Sequence, residues 1–414
     1  MADKTMPQIP KGFRDFLPES ASIRETVINT LKKVFRVYGF SPLETPAIEY
    51  AKTLTNKYGD EANKLIYLFK DRGNREVGLR YDLTVPLSRV VTQYQNELPI
   101  PFKRYQIAPV WRADKPQAGR FREFWQADID TVGSAYSLTD ADLIACILAC
   151  MEKLGFKDYL LFINDRNIFA QNNIQEIKII RALDKLPPAF KKDDFPGEEV
   201  TTIFRKEKQT SPKQAKKWAR QFLLTPEPES ITKIKNNLKK MKADTSKIRF
   251  LPYLARGLDY YTGIIFELQV SGYKNLSIGA GGRYDKLIGR FSGRQLPAVG
   301  FSFGIDRLIE ALKISKVITK KTTTTILVTI FNQKSTQQSL TAVSKLRNSN
   351  ISTEIYPNWQ SGIDKQLKYA NKKGVPFVLI IGPDEIKANK VTLKNMKTGQ
   401  QETLPLDKVI KKLK

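Results

Sequence analysis

Apolar residues recur at intervals of three and four between residues 20 and 40: Ile23, Val27, Leu31, Val34, Phe35 and Tyr38. That period predicts an amphipathic helix, stopped at Gly39. The pattern then shifts towards period two. Leu65–Lys70 and Glu76–Pro86 read as strands, and Phe102–Asp114 and Phe121–Val132 read as an antiparallel pair around the short loop Lys115–Gly119. A helix is predicted over Thr139–Leu154. Residues 171–243 change character: helical in pattern, basic, and broken at Pro187-Pro188, Pro196-Gly197 and Pro226-Glu227-Pro228. Strand-like sequence resumes at Arg249 and runs past Gly282, and a helix begins near Gly304. Beyond a threonine-rich stretch at 314–325 the pattern alternates: strand Ile326–Phe331, helix Thr336–Asn348, strand Thr353–Tyr356, helix Asp364–Lys373, strand Phe377–Ile381, hairpin Lys390–Thr403 and helix Leu406–Leu413.

This order implies an α+β domain with an antiparallel sheet flanked by helices, residues 1–170 and 244–315. A basic helical insertion, 171–243, interrupts it, and a smaller α/β domain with a mixed sheet, 322–414, follows.

Strand sidedness brings in the chemistry. In Phe121–Val132 the even positions are Arg122, Phe124, Gln126, Asp128 and Asp130, whereas Phe121, Trp125, Ala127 and Ile129 fall on the other face. Arg120 is in phase with the polar row. Arg112 and Asp114 share a side of the partner strand, and Arg80, Asp82 and Thr84 share one in the segment before it. Such a row is either a solvated sheet face or a binding face; a solvated face usually favours Lys, Glu and Thr over Arg, Phe, Gln and Asp.

Composition narrows the class. With 41% hydrophobic residues the chain buries real cores, and no window is apolar for long enough to span a membrane. Nothing near residue 1 resembles a targeting segment, so a cytoplasmic location and no membrane partner are expected. Cys146 and Cys150 lie one helical turn apart in an apolar helix and read as buried free thiols; without a CxxC pair or any histidine, no metal site is expected. The formal charge is +27, from 69 Lys+Arg against 42 Asp+Glu. Between Arg205 and Lys242 stand 12 basic against 3 acidic residues, a footprint suited to phosphates.

Val110-Trp111-Arg112-Ala113-Asp114, the loop after it and Arg120-Phe121-Arg122-Glu123-Phe124 resemble the strand-loop-strand motif of class II aminoacyl-tRNA synthetases. Gly300–Arg307 resembles the third motif of that class, whose arginine binds ATP. Pro10–Pro18, Arg80–Pro86, Gln126–Asp130, Leu254–Gly263 and Gly279–Asp285 are similar to segments of histidyl-tRNA synthetases in particular, and Gly374–Gly382 resembles their anticodon-binding domain.

The resemblance implies a histidine–tRNA ligase that joins histidine to ATP and then to tRNA(His). Mg²⁺ would accompany ATP, and a homodimer is expected. Arg112 and Arg256 would be catalytic, holding the substrate carboxylate and α-phosphate. Asp82, Thr84 and Gln126 would hold the α-ammonium; Asp130 and Tyr261 would meet the imidazole, with Tyr260 and Tyr284 lining the pocket. Asp114, Arg120, Phe124 and Arg307 would complete the ATP site, and Gln117, Lys206, Lys216 and Lys217 would contact tRNA. Three departures stand out: Phe13 where a threonine is commoner, Ser302 where glycine is, and Asp82 where some relatives carry the longer glutamate. A non-catalytic regulatory paralogue that senses histidine is the alternative; such paralogues lack the arginine segment and the C-terminal domain.

The chain contains no histidine. None of the implied roles needs an imidazole from the enzyme. A lineage poor in histidine, deliberate removal, and an advantage in resuming synthesis after histidine starvation each account for the absence.

Overall fold

The computed structural model describes residues 7–55, 64–116, 119–174, 176–188, 196–256, 260–273, 276–315 and 322–414. Two compact units are formed, Met1–Asp15 with Arg24–Val317, and Phe16–Ile23 with Ile318–Lys414.

The first unit carries strands β1 (Ser41–Pro42), β2 (Ile48–Tyr50), β3 (Leu68–Lys70), β4 (Glu76–Leu79), β5 (Phe102–Trp111), β6 (Glu123–Val132), β7 (Tyr159–Asp165), β8 (Ile248–Phe250), β9 (Ile264–Val270), β10 (Ser277–Arg283) and β11 (Ala298–Gly304). Eight of them form one sheet in the order β1-β5-β6-β11-β10-β9-β7-β8; β2, β4 and β3 form a small second sheet. The run from β5 to β7 is antiparallel throughout, and only β1 and β8 join in parallel.

The expected pair around the loop is β5 and β6, with Arg104 opposite Asp130 and Val110 opposite Phe124. Ala127 and Ile129 are fully buried on the far face of β6. The first helix runs Pro18–Val37, and the next predicted one is Ser137–Lys153, with Cys146 and Cys150 buried as free thiols. No described helix is long and apolar enough to cross a membrane.

The reading of Glu76–Pro86 as one strand is corrected. The strand ends at Leu79 and a helix begins at Thr84, running to Gln93. Asp82 explains the switch: its Oδ1 accepts the backbone N–H groups of Thr84 at 3.1 Å and Val85 at 3.0 Å, satisfying donors that a helix start leaves open. Pro86 sits in the first turn, where its missing N–H costs nothing. Arg80 therefore does not share a strand face with Asp82. Its Nε donates to the Pro109 carbonyl and its Nη1 to that of Thr45, locking β4 to its surroundings.

Residues 171–243 are helical over Ile177–Leu183, Gly197–Glu207, Pro212–Leu223 and Glu229–Lys240. Their apolar faces, including Leu183, Phe204 and Phe222, join the same buried cluster as Tyr253, Tyr260 and Tyr284 beside the large sheet.

In the second unit β12 (Ile326–Val328), β13 (Thr353–Ile355), β14 (Phe377–Ile380), β15 (Val391–Asn395) and β16 (Gln401–Leu404) make a mixed sheet ordered β13-β12-β14-β15-β16. Alternation decides which helix covers which face. Ile326 and Val328 pack with Ala342, Val343 and Val409, from helices Thr336–Asn348 and Leu406–Leu413. Leu327 packs with Ala370, from helix Ile363–Lys373 on the other side.

Candidate active site

A cavity of about 610 Å³ opens on the face of the large sheet that carries the even positions of β6. Phe124, Gln126, Asp128 and Asp130 all line it, with Asp82 and Thr84 from the helix start, Arg112 and Asp114 beyond β5, and Arg256, Tyr260, Tyr261 and Tyr284 from the opposite side. Arg120 and Arg307 complete the wall. Arg122 is the exception in the polar row. It turns away, donating to the carbonyls of Lys11 and Asp114, and its stem lies where a Cβ on Gly12 would fall. Gln117 lies outside the described residues, as do residues 257–259 of the segment that follows Arg256. Lys206, Lys216 and Lys217 are exposed on two helices of the insertion.

The inner end of the cavity is acidic. Asp130 is buried, with its Oδ2 2.8 Å from Arg104 Nη2 and its Oδ1 accepting the Tyr284 hydroxyl at 2.5 Å. Burial pushes the Asp130 carboxyl above its usual range, against the pull of Arg104. Burial likewise raises Tyr284, and the Asp130 charge adds to it. The two strands meet here with no room for a side chain: Gly300 is opposite Asp130 in the ladder, and a Cβ on it would overlap Asp130 Oδ1. Tyr260 packs against Tyr261 and Tyr284, with ring centroids 4.8 and 6.0 Å away, so three tyrosines wall this chamber.

The middle carries polar groups with spare capacity. Gln126 Nε2 donates to Ser302 Oγ at 2.8 Å, while Gln126 Oε1 and Asp128 Oδ1 are buried without a hydrogen-bond partner among the described residues. Burial lifts the Asp128 carboxyl to about 7; Arg104 opposes the rise and Asp130 adds to it.

The outer end is basic. Arg112 donates to the Tyr81 carbonyl at 3.2 Å and lies over the rings of Tyr81 and Phe124, at 4.2 and 5.0 Å. Arg307 is held by the carbonyls of Gly119 and Ser277, at 3.2 and 3.0 Å. Burial lowers its pKa, and Arg120 and Arg112 lower it further, so three guanidiniums are close enough to repel one another. Such a group awaits an anion. Asp306, one residue before, accepts from Arg14, Arg24 and the Trp125 backbone N–H, pinning the N-terminal segment and β6 to helix Ile305–Ile314.

Arg256 stands between the two ends, paired with Glu267 at 3.2 Å; Glu267 in turn accepts from Gln269. Burial acts against the charge on Arg256, but Glu267 and Tyr261 hold it firmly cationic.

Several of these groups escaped sequence reasoning. Glu267 and Arg104 are partners of site residues, and strand phase from Asp130 across the β5–β6 pair could have found Arg104. Arg181, Asp184 and Lys185, from the insertion, also line the cavity; nothing local in the sequence announces them.

The chamber thus juxtaposes a cation-seeking end and an anion-seeking end, joined by an arginine. The chain as a whole is similar to known proteins. The model of the histidyl-tRNA synthetase family matches residues 12–308, and that of an anticodon-binding domain matches residues 324–414. The histidine–tRNA ligase of Christiangramia forsetii is 38% identical, with 98% of each chain covered. That of Gloeobacter violaceus is 39% identical, with 95% of this chain and 96% of the relative covered. The histidyl-tRNA synthetase structure from Nostoc sp. PCC 7120 superposes with a TM-score of 0.83 at 28% identity, covering 98% of this chain and 99% of that one. With a catalytic model and an anticodon-binding model matched in order, and relatives aligned nearly end to end, the chain belongs to the histidyl-tRNA synthetase family.

Proposed function

We propose that this cavity activates histidine, its acidic end holding the amino acid and its basic end the nucleotide. Family membership makes the chain a histidine–tRNA ligase, a class II aminoacyl-tRNA synthetase. The observation that carries the residue-level reading is the polarity of the chamber, with carboxylates at the closed end and guanidiniums at the mouth. A histidine lying along it puts its imidazole against Asp130, Tyr261 and Tyr284. Its α-ammonium falls near Asp82, Thr84 and Gln126, and its carboxylate near Arg112 and Arg256. Tyr260 backs Tyr261. A carboxylate facing an imidazole N–H rejects apolar side chains, because Asp130 would otherwise lose a polar partner.

ATP enters from the other end. Phe124 stacks on adenine, Asp114 faces the nucleotide, and Arg120 and Arg307 hold the distal phosphates. Mg²⁺ arrives as part of the ATP complex, with phosphate oxygens and water supplying most of its ligands. The histidine carboxylate oxygen bonds to the α-phosphorus, the bond to the bridging oxygen breaks, and pyrophosphate leaves. Charge accumulates on the α-phosphoryl oxygens, which Arg112 and Arg256 stabilise from fixed positions. In the second step a hydroxyl of the terminal ribose of tRNA(His) attacks the acyl carbon and AMP departs. The hydroxyl proton passes to a phosphate oxygen or to the substrate, so no enzyme imidazole is required. The enzyme acts in the cytoplasm as a homodimer under this reading. Pyrophosphate exchange into ATP is expected with histidine and no other amino acid; exchange driven by proline, glycine or threonine would show that the imidazole assignment is wrong.

The alternative, a histidine-sensing regulatory paralogue, fits less well. The relatives named as ligases align over the whole chain, and both Arg256 and the C-terminal domain are present.

Binding of tRNA rests on the insertion as well as the anticodon-binding domain. Lys206, Lys216 and Lys217 project from adjacent helices. Affinity should fall steeply with salt, by roughly 10³-fold between ~50 and ~200 mM if about six phosphates are neutralised. Replacing the three lysines by glutamine should reduce the slope of log affinity against log salt by about three. Filter binding across a salt series measures both, and an unchanged slope removes these lysines from the interface.

A further inference from the structure

Of the two carboxylates that β6 presents to the chamber, Asp130 faces the imidazole and Asp128 has no role in binding histidine or ATP. Asp128 is buried, lines the cavity between Gln126 and Asp130, and stands opposite Ser302 in the ladder. Ser302 hydrogen-bonds it, yet its Oδ1 has no hydrogen-bond partner among the described residues. The gap it fills is physical. Gln126 and Asp130 are four residues apart on one strand, roughly 13 Å along it. A histidine whose ring sits at Asp130 has its α-nitrogen only a few bonds away, closer to position 128 than to position 126.

Charge points the same way. Asp82 is the carboxylate expected to face the ammonium, but it is shorter than the glutamate of some relatives. Its Oδ1 also caps helix Thr84–Gln93 through two backbone N–H groups. Part of its charge is therefore already balanced by the helix start. Asp82 and Asp130 both act electrostatically on Asp128, and Arg104 is the cation among them. Three carboxylates around one guanidinium leave a negative surplus in a buried space, which a bound cation relieves.

We propose that Asp128 is a second anionic partner of the substrate's α-ammonium, sharing with Asp82 and Gln126 a task that one shorter carboxylate does not complete. Asp128 is thereby a specificity-determining residue: it selects for the free amino group rather than for the ring. This role rests on histidine occupying the chamber, which substitution of Asp130 tests separately.

Calorimetric titration of the whole protein with three ligands separates the possibilities. Histidine and histidinol carry the ammonium; 3-(imidazol-4-yl)propanoate lacks it. In Asp128→Asn, affinity for histidine and for histidinol should fall roughly 10-fold or more, the worth of a hydrogen bond to a charged group, while the deamino ligand binds as before. The substitution keeps the side-chain volume and removes a like charge beside Asp130, and Asp128→Glu should restore part of the preference for the amino group. Equal weakening of all three ligands would make Asp128 a support for Asp130 and overturn the proposal. So would unchanged binding of all three. If the asparagine variant does not fold, the pairwise comparison in Asp128→Glu decides: a preference for amino over deamino ligand identical to the parent's counts against the assignment, and an altered one counts for it.

Discussion

Arg256→Ala should lower the rate of histidine activation at saturating substrates by on the order of 10²- to 10³-fold, the usual loss when a fixed transition-state donor is removed. Arg256 lines the cavity between its acidic and basic ends, and its Nε has no hydrogen-bond partner among the described residues, so donor capacity remains for a substrate. Glu267 holds the guanidinium at 3.2 Å and, with Tyr261, keeps it charged despite burial. A charge fixed in place before reaction is worth most where new charge develops, on the oxygens of the α-phosphorus as the carboxylate attacks. Ground-state affinity for histidine should change less than turnover does. Glu267→Gln should fall between parent and Arg256→Ala, because it loosens the arginine without deleting it. Single-turnover adenylate formation, read beside a thermal melt, checks both. A turnover number equal to the parent's in a folded variant would make Arg256 a structural residue.

Legibility in the sequence followed the range of the forces involved. Helix Thr336–Asn348 and helix Leu406–Leu413 have the bounds that periodicity predicts, because each buries one continuous stripe on its own sheet. The β5–β6 pair was readable because strand alternation is a local property, and it put Phe124, Gln126 and Asp130 on one face. Strand β7 was not foreseen: Tyr159–Asp165 is buried almost throughout, so no alternation marks it. The helix at Thr84 was hidden for a different reason. A single carboxylate, Asp82, turns the chain from strand to helix, and Arg-Tyr-Asp-Leu-Thr-Val mimics alternation until the capping bonds are seen.

Within the cavity the same division holds. Residues on β6 came from phase alone, and those on distant segments came from resemblance. Groups that act only through a partner were missed. Glu267 is ordinary in sequence and matters because β9 brings it to Arg256. Arg181, Asp184 and Lys185 reach the cavity only because the insertion folds back onto the unit that contains the sheet. Long-range packing has no local signature, so these could not be read in advance.

Asp130→Ala should raise the histidine concentration needed for half-maximal exchange more than any other single change in the pocket, with ATP affinity little altered. Two losses combine. The imidazole N–H loses a charged acceptor, worth roughly 10- to 100-fold in affinity. Arg104, fully buried, loses its counter-ion, and removing one member of a buried pair typically costs about 3–5 kcal/mol of stability. Asp130→Asn removes the charge, and with it both contributions, while keeping the volume and an oxygen that can accept from Tyr284, so it separates loss of charge from the cavity that alanine leaves. Gly300→Ala approaches the same group from the neighbouring strand. It leaves every polar side chain in place, but its Cβ would overlap Asp130 Oδ1 and lie 2.6 Å from Asp130 Cγ, so the carboxylate or the strand must move. The methyl should therefore reproduce the loss of histidine affinity seen on removing the charge, by displacing the carboxylate while leaving its charge intact. Equilibrium binding of histidine and of ATP to the three variants, each checked for folding, tests this. Histidine binding as tight as the parent's in both Asp130→Asn and Gly300→Ala would mean that another group reads the imidazole and that histidine lies elsewhere in the cavity.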